Sequence, residues 1–430
     1  MKVLRFMVFM LFGLLALVAC ALIATYFIAK AVLAPLPGEW SVPLRAGPLQ
    51  LQAGVPTMLR LATAPWVGPL LDGRRLATRA GPVRLAWQAP TRTLLLHCAP
   101  CTVTPAGLGE ERVVLQELRL SVHRQGLLLD GELASGALRA TWQGELSNRE
   151  LQIRMQLPSS AIADAYALFG AAMPELARAR IEGQFALKAQ LSLPDGRISL
   201  APQVEGFQVS GLGTEVLAAA RSGCSRRTSR LTADSWLARA VVAAEDQRFY
   251  EHPGYDLAEL GASLSQNQRD GRISRGASTL PQQLAKLLVT GGERSPVRKL
   301  RELLYAVEME QTLGKPRMLQ LYLAHAPWGP ALCGAEAAAQ HYFGQRAHTL
   351  EPAQAVWLAA MLHNPGLEAR RWAETGEINT ARAQWVLAGL RGLPRRQRAR
   401  LAEELEQPAW TAPRVPADTD QGHAPRPEAQ

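Results

Sequence analysis

The sequence predicts an α+β, multidomain chain: an N-terminal transmembrane helix, a β-rich membrane-proximal domain, then a mainly α domain. Three observations carry this. The run from Phe6 to Ala29 has no charged residue across 24 positions. From about Trp40 to Gly213 apolar and polar residues alternate with a period of two. From about Leu217 to Leu405 the period lengthens to that of helices rich in alanine and leucine. The 430 residues suffice for two ordinary domains, each burying its own core.

The apolar run is long enough for a bilayer core of roughly 30 Å at about 1.5 Å per residue. Lys2 and Arg5 precede it, which keeps the short N-terminus cytoplasmic and puts the rest outside the inner membrane. A cleaved signal peptide carries an apolar stretch of roughly 7–15 residues, shorter than this one. Leu17-Val18-Ala19-Cys20 resembles a lipoprotein box, yet apolar sequence continues past Cys20. Residues 1–34 are therefore expected to form a cytoplasmic N-terminus and membrane anchor.

Residues 39–215 are expected to form a β-rich periplasmic domain. Alternation is plain in Leu118-Arg119-Leu120-Ser121-Val122 and in Leu151-Gln152-Ile153-Arg154-Met155, with turn signals at Asp130-Gly131, Ser135-Gly136 and Pro194-Asp195-Gly196. One helical interlude is expected from Ser160 to about Arg178. Cys98-Ala99-Pro100-Cys101 follows strand-like sequence and no helical pattern follows it, so it reads as a small structural disulfide rather than a redox site. A zinc site would need more ligands than His97 supplies. The region carries no recognisable chemistry.

Residues 217–405 are expected to form the helical domain. Glu406 to Gln430 is rich in Pro, Ala and charge without periodicity, and reads as a disordered tail. The net charge of +10 is mostly arginine, since only six of the 47 basic residues are lysine. Such charge suits nucleic acid, an anionic membrane or a phosphorylated substrate; the apolar N-terminus favours the last two.

Three clusters can carry chemistry. Trp236, Leu237, Ala240, Val241 and Ala244 recur at helical spacing after a cap at Thr232 or Asp234, so Glu245 ends a buried helix, where burial raises a carboxylate's pKa and suits a general base. Arg275-Gly276-Ala277-Ser278-Thr279-Leu280-Pro281-Gln282-Gln283 leads to Lys286, a glycine, hydroxyls, amides and an ammonium at a helix entry that can bind phosphate and sugar hydroxyls. Ser295-Pro296 caps a third helix whose Leu300, Leu303, Leu304 and Val307 make the apolar stripe. Arg298 and Glu302 then fall on the opposite face, with Lys299 on its flank. Taken singly, each is equally well a capped or salt-bridged helix surface.

Together, in this order, they resemble the family-51 glycosyltransferases that polymerise peptidoglycan. The motif E-D-x-x-F-x-x-H-x-G is complete from Glu245 to Gly254. Gly276, Ser278, Thr279, Gln282, Gln283 and Lys286 match the second motif, and Arg298, Lys299 and Glu302 the third. Lys315 through Tyr322-Leu323, then Gly334, Ala338, Ala339, Tyr342 and Phe343, match the fourth and fifth. The wording looks most like the monofunctional biosynthetic transglycosylases of Gram-negative bacteria. The S-x-x-K and K-T-G motifs of a transpeptidase are not seen.

The resemblance implies a lysozyme-like glycosyltransferase domain that polymerises lipid II with inversion, releasing undecaprenyl diphosphate. Glu245 and Glu302 would be catalytic, Glu245 as the base and Glu302 on the leaving-group side, directly or through a divalent cation such as Mg²⁺. Lys286, Arg298, Lys299, Ser278, Thr279, Gln282, Gln283, Asp246 and Phe249 would serve the substrate, with Lys286 and Arg298 facing the leaving diphosphate. His252 would support its loop, and Arg269, Arg272 and Arg275 would suit anionic headgroups. No organic cofactor is implied. The partners would be lipid II, the growing glycan, the inner membrane and other cell-wall synthases, without nucleic acid.

The chain departs from the family pattern at Leu287 and Ala324, where amides are usual, and in its long β-rich insertion. Two alternatives follow: a non-catalytic lipid II-binding scaffold, and a lytic hydrolase, whose usual Gly-Leu-Met-Gln segment is absent.

Overall fold

The computed structural model describes residues 24, 26–28, 30–46, 49–103, 112–220, 231–271, 275–292 and 295–406. Among the described residues no helix is long and apolar enough to cross a membrane. The expected fold class is corrected accordingly, to a nine-stranded sheet accompanied by helices. A spanning helix needs about 20 consecutive apolar residues, and of the 6–29 run only residues 24 and 26–28 are described. The rest of that run, Cys224 and the expected tail from 407 onward lie outside the described residues.

Two compact units divide the chain, one within 1–171, 182–206 and 264–273, the other within 172–181, 207–263 and 274–430. The first begins with the antiparallel hairpin of β1 (Ser41–Ala46) and β2 (Leu49–Gly54). Helix α1 (Val55–Ala62) follows. The large sheet is then laid down almost in chain order: β3 (Arg75–Thr78), β4 (Gly81–Gln88), β5 (Thr93–Cys98), β8 (Leu118–Gln125), β9 (Leu128–Ser135), β10 (Leu138–Leu146), β11 (Leu151–Ala161), β12 (Arg180–Leu193) and β13 (Arg197–Ser210). The two short strands passed over, β6 (Cys101–Val103) and β7 (Val113–Leu115), pair with each other.

Strand β10 shows why the alternation works: Ala140, Trp142 and Leu146 are buried while Thr141, Gln143 and Glu145 are exposed. Trp142 and Leu146 join Val122, Leu129 and Leu151 in one apolar core, the arrangement of an antiparallel sheet with one wet face. Asp130-Gly131 lies inside β9 and is not a turn. A side chain at Gly131 would collide with the Ser121 carbonyl oxygen, to which Trp142 Nε1 donates at 3.2 Å. Close approach of two backbones, not a bend, accounts for that glycine.

The helical interlude is shorter than its sequence suggests. Strand β11 runs on to Ala161, α2 covers only Ile162–Ala167, and short 3₁₀ turns follow at Gly170–Ala172 and Pro174–Ala177. Gly170 and Pro174 both oppose helix continuation. Cys98 and Cys101 form a disulfide between the end of β5 and the start of β6, buried against Val113 and Leu115.

The second unit holds α3 (Trp236–Glu245), α5 (Leu280–Ala285), α6 (Pro296–Thr312), α7 (Gly314–His325), α8 (Ala335–Phe343), α9 (Pro352–Ala360), α10 (Pro365–Thr375), α11 (Thr380–Gly389) and α12 (Arg395–Glu406). Helix α4 (Leu257–Asp270) lies between α3 and α5 in sequence. Helix α3 packs against α9, and both are buried almost all round by alanines such as Ala240, Ala244, Ala355 and Ala359. A helix apolar on every face belongs in an interior. Trp328 donates to the Leu358 carbonyl at 3.1 Å, and Trp357 meets Tyr342, Phe343 and Trp372 edge-on. This rigid interior fixes the end of α3, where Glu245 sits.

Candidate active site

Helix α3 is capped by Ser235, whose hydroxyl accepts from Ala238 N at 3.3 Å, just beyond Asp234, the nearer of the two caps its sequence suggests. At its other end the Glu245 side chain is only 12% exposed. Its Oε2 accepts from Gln283 Nε2 at 2.9 Å. Its Oε1 is buried with no hydrogen-bond partner, and the Arg382 guanidinium lies 3.8 Å away. Burial pushes the carboxyl above the usual carboxylate range, the Gln283 bond and the Arg382 charge pull it back, and Asp246 adds to the rise.

Gln283 is itself held: its Oε1 accepts from the Tyr322 hydroxyl at 3.1 Å. Burial, reinforced by the charge on Glu245, raises the Tyr322 phenol well above its ordinary value, so it remains a donor. Tyr322, Gln283 and Glu245 thus form a chain in which each donor has one acceptor.

The neighbouring motif residues build the frame. Asp246 accepts from Leu280 N at 2.9 Å at the start of α5, and pairs with His252 Nε2 at the same distance. Thr279 and Gln282 form a capping box on α5, and the Thr279 hydroxyl also donates to Gly254 O at 2.7 Å. Gly254 has φ +83°, and a Cβ there would stand 2.9 Å from Ala306 O on α6. Phe249 is fully buried, with Lys315 Nζ 4.6 Å from its ring centre. Lys315 also donates to His252 O at 2.7 Å and pairs with Glu310 at 2.9 Å. The structure therefore places Asp246, Phe249, Thr279 and Gln282 in the framework, and His252 supports its loop by holding Asp246.

Ser295 caps α6, accepting from Arg298 N at 3.2 Å. Glu302 is fully buried rather than on a wet face, on a helix against which α5 packs. Its carboxylate pairs with Arg298 and, at 2.8 Å, with Lys299 Nζ. Lys299 also donates to the Ser278 hydroxyl at 2.7 Å, joining the second and third motifs. Arg298 Nε is buried without a hydrogen-bond partner. Lys286 is exposed at the head of a π-helical turn, Lys286–Thr290, that continues α5. Leu287 in that turn and Ala324 on α7 are half-buried. Arg275 makes a two-pronged contact with Glu259, at 2.6 and 2.7 Å; Arg272 lies outside the described residues.

Two groups emerge: Glu245 with Gln283, and Ser278–Lys299–Glu302–Arg298. The residues that sequence reasoning left without a role are Tyr322, legible as part of the fourth motif, and Arg382, for which no local signal exists. Among the described residues no cluster of three or more His, Cys, Asp or Glu could hold a metal. Glu302 already carries two cationic partners, so the residues present do not form a cation cage.

Residues 217–391 match the family model described as Transglycosylase. Over this stretch the helical region is similar to transglycosylases. Among curated proteins, the biosynthetic peptidoglycan transglycosylase of Thiobacillus denitrificans is 46% identical over 138 residues, which is 32% of this chain and 57% of that protein. The protein of the same name from Alcanivorax borkumensis is 47% identical over 132 residues, 31% of this chain and 54% of that one. That from Stutzerimonas stutzeri is 43% identical over 159 residues, 36% and 64% respectively. The matched stretch thus spans somewhat over half the length of these relatives. The resemblance read from the motifs is borne out across the transglycosylase region.

Proposed function

We propose that the transglycosylase region polymerises lipid II, moving a lipid-diphosphate-linked glycan onto the acceptor's sugar hydroxyl. The observation that carries this is the asymmetry of Glu245: Oε2 is fixed by Gln283, while Oε1 is buried and without a hydrogen-bond partner. A carboxylate so held accepts a proton from a hydroxyl brought to Oε1.

In the proposed step the acceptor oxygen attacks the donor's anomeric carbon from the face opposite the diphosphate and its proton passes to Glu245. The new O–C bond forms as the C–O bond to the diphosphate breaks, so configuration inverts and undecaprenyl diphosphate leaves with the electron pair. Arg298 and Lys286 would stabilise the charge growing on that leaving group, a fixed electrostatic contribution of about 3 kcal/mol for a key contact. Glu302 would hold Arg298 and Lys299 in place, and Ser278 would orient Lys299. The divalent cation that the resemblance allows has no protein cage among the described residues, and no step here is routed through one.

A donor with a polyprenyl tail puts this chemistry at a membrane surface, which we assign to the periplasmic face of the inner membrane, within cell-wall synthesis. The test is polymerisation of purified lipid II by the full chain and by Glu245→Gln. Glycan from the wild type and a loss of about 10²–10⁴-fold in the variant supports the reading. Absence of glycan from the wild type across detergents and metal ions would sink it in favour of a lipid II-binding scaffold.

A further inference from the structure

We propose that Arg382 is a positioning residue that keeps the Glu245 carboxylate ionised and aimed, a role resting on the reading of Glu245 as the base. Arg382 lies far along the chain from Glu245, on α11, in a region that none of the five motifs covers. Two contacts hold its guanidinium and a third its backbone. Nη2 donates to Ala244 O, the penultimate carbonyl of α3, at 2.6 Å. Its Cζ lies over the Trp385 ring, 4.1 Å from the ring centre. The backbone is anchored by the Asn379 cap, which accepts from Arg382 N at 3.1 Å. The same Nη2 lies 3.8 Å from Glu245 Oε1, and at this distance there is charge but no hydrogen bond.

That distinction matters for a base. A direct guanidinium–carboxylate hydrogen bond would occupy the lone pair needed for the acceptor's proton, whereas a cation just beyond reach stabilises the ionised form and leaves Oε1 open. The side chain is 21% exposed, so water screens the pair only in part.

The groups around Glu245 leave this task to Arg382. Asp246, next in the chain, opposes ionisation. Gln283 on α5 is neutral, and Tyr322 on α7 is held protonated by burial. His363, in the turn after α9, is kept towards its neutral form by burial and by Arg382 itself. Removing Arg382 would leave burial and Asp246 opposed by one amide hydrogen bond.

The test is the pH dependence of lipid II polymerisation by wild type, Arg382→Gln, Arg382→Lys and Trp385→Leu. It is paired with infrared titration of the protonated-carboxyl band assigned by its loss in Glu245→Gln. Losing the cation raises the proton affinity of Glu245, so in Arg382→Gln the acid limb moves up by about 1–3 pH units. The rate then recovers at higher pH, and the infrared band persists to the same higher pH. Trp385→Leu keeps the charge and leaves the limb in place. A uniform loss of rate in Arg382→Gln, with limb and band unmoved, overturns the proposal and leaves Arg382 a purely structural role.

Should Arg382→Gln not fold, Arg382→Lys decides. A cation retained there holds the band within about 1 pH unit of wild type, and displacement by about 2 or more overturns the proposal. If no glycan forms with any protein, the reading of function fails while the infrared titration still decides what Arg382 does to Glu245.

Discussion

Gln283 Nε2 donates to Glu245 Oε2 at 2.9 Å while its own carbonyl oxygen accepts from the Tyr322 hydroxyl at 3.1 Å. The amide cannot flip without turning both bonds into clashes of like dipoles, so Tyr322 fixes which atom faces the carboxylate. Gln283→Leu removes the donor that lowers the proton affinity of Glu245. The acid limb of the rate profile should move to higher pH. Stability should fall by about 1–3 kcal/mol because the Tyr322 hydroxyl is left buried and unpaired. Rate–pH profiles and urea denaturation check both, and an unmoved limb refutes the electrostatic half.

Glu245→Gln should trade activity for stability. The folded-state pKa of Glu245 is raised, so the folded protein holds this proton more tightly than the unfolded chain and loses stability as pH rises through the folded value. Above that value the buried charge is a standing cost that the neutral amide of the variant would not carry. The variant should therefore melt higher than wild type at pH 7–8, and the difference should vanish below the ordinary carboxylate range, where both states are protonated. Calorimetry across pH reads this directly; equal melting temperatures at pH 8 would contradict it.

Glu302→Gln should weaken the fold more than a surface ion pair would. It strips a buried carboxylate from Arg298 and Lys299, whose side chains are 11% and 42% exposed. Breaking a buried pair from one side costs about 3 kcal/mol at the lower end of the usual range, fitting here because Lys299 reaches water. Restoring the charge by Glu302→Asp should recover part of the stability but not the geometry. Denaturant midpoints for the three proteins decide this, and a loss below about 1 kcal/mol would place the pair among surface contacts.

Gly254→Ala should act through sterics alone. Its φ of +83° disfavours a side chain, and the added Cβ would press on Ala306 O at 2.9 Å. A cost of about 1–3 kcal/mol is expected, with reduced polymerisation because Thr279 hangs from the same residue's carbonyl. A variant as stable as wild type would mean that α6 can retreat from this loop.

Much of the site was legible because its residues cluster within short helices and loops whose caps and periods are local properties. Ser295 caps its helix where the sequence indicates. Glu302 was misleading: helical spacing puts it opposite the leucine stripe, yet it is buried without being apolar. Asp130-Gly131 reads as a turn, yet a neighbouring strand's carbonyl required the glycine. Arg382 was out of reach, since its contact with Glu245 exists only once α11 packs against α3. Periodicity reports a helix's own faces and is silent about what arrives from far along the chain.

Helix α6 is held from behind as well as in front. Glu175, buried in the segment before β12, pairs with Arg301 at 2.6 Å; Leu212 N, just after β13, donates to Glu308 at 2.8 Å; and the Thr214 and Thr312 hydroxyls meet at 2.7 Å. These tethers bear on the same helix that presents Arg298 and Glu302 to the site. A dissected fragment begun at residue 217 would retain every motif and still lose the buttress of its third one, leaving Glu308 buried without its amide partner. Any minimal active version must carry 172–181 and 207–216 along, even if the strands between them are replaced by a short splice.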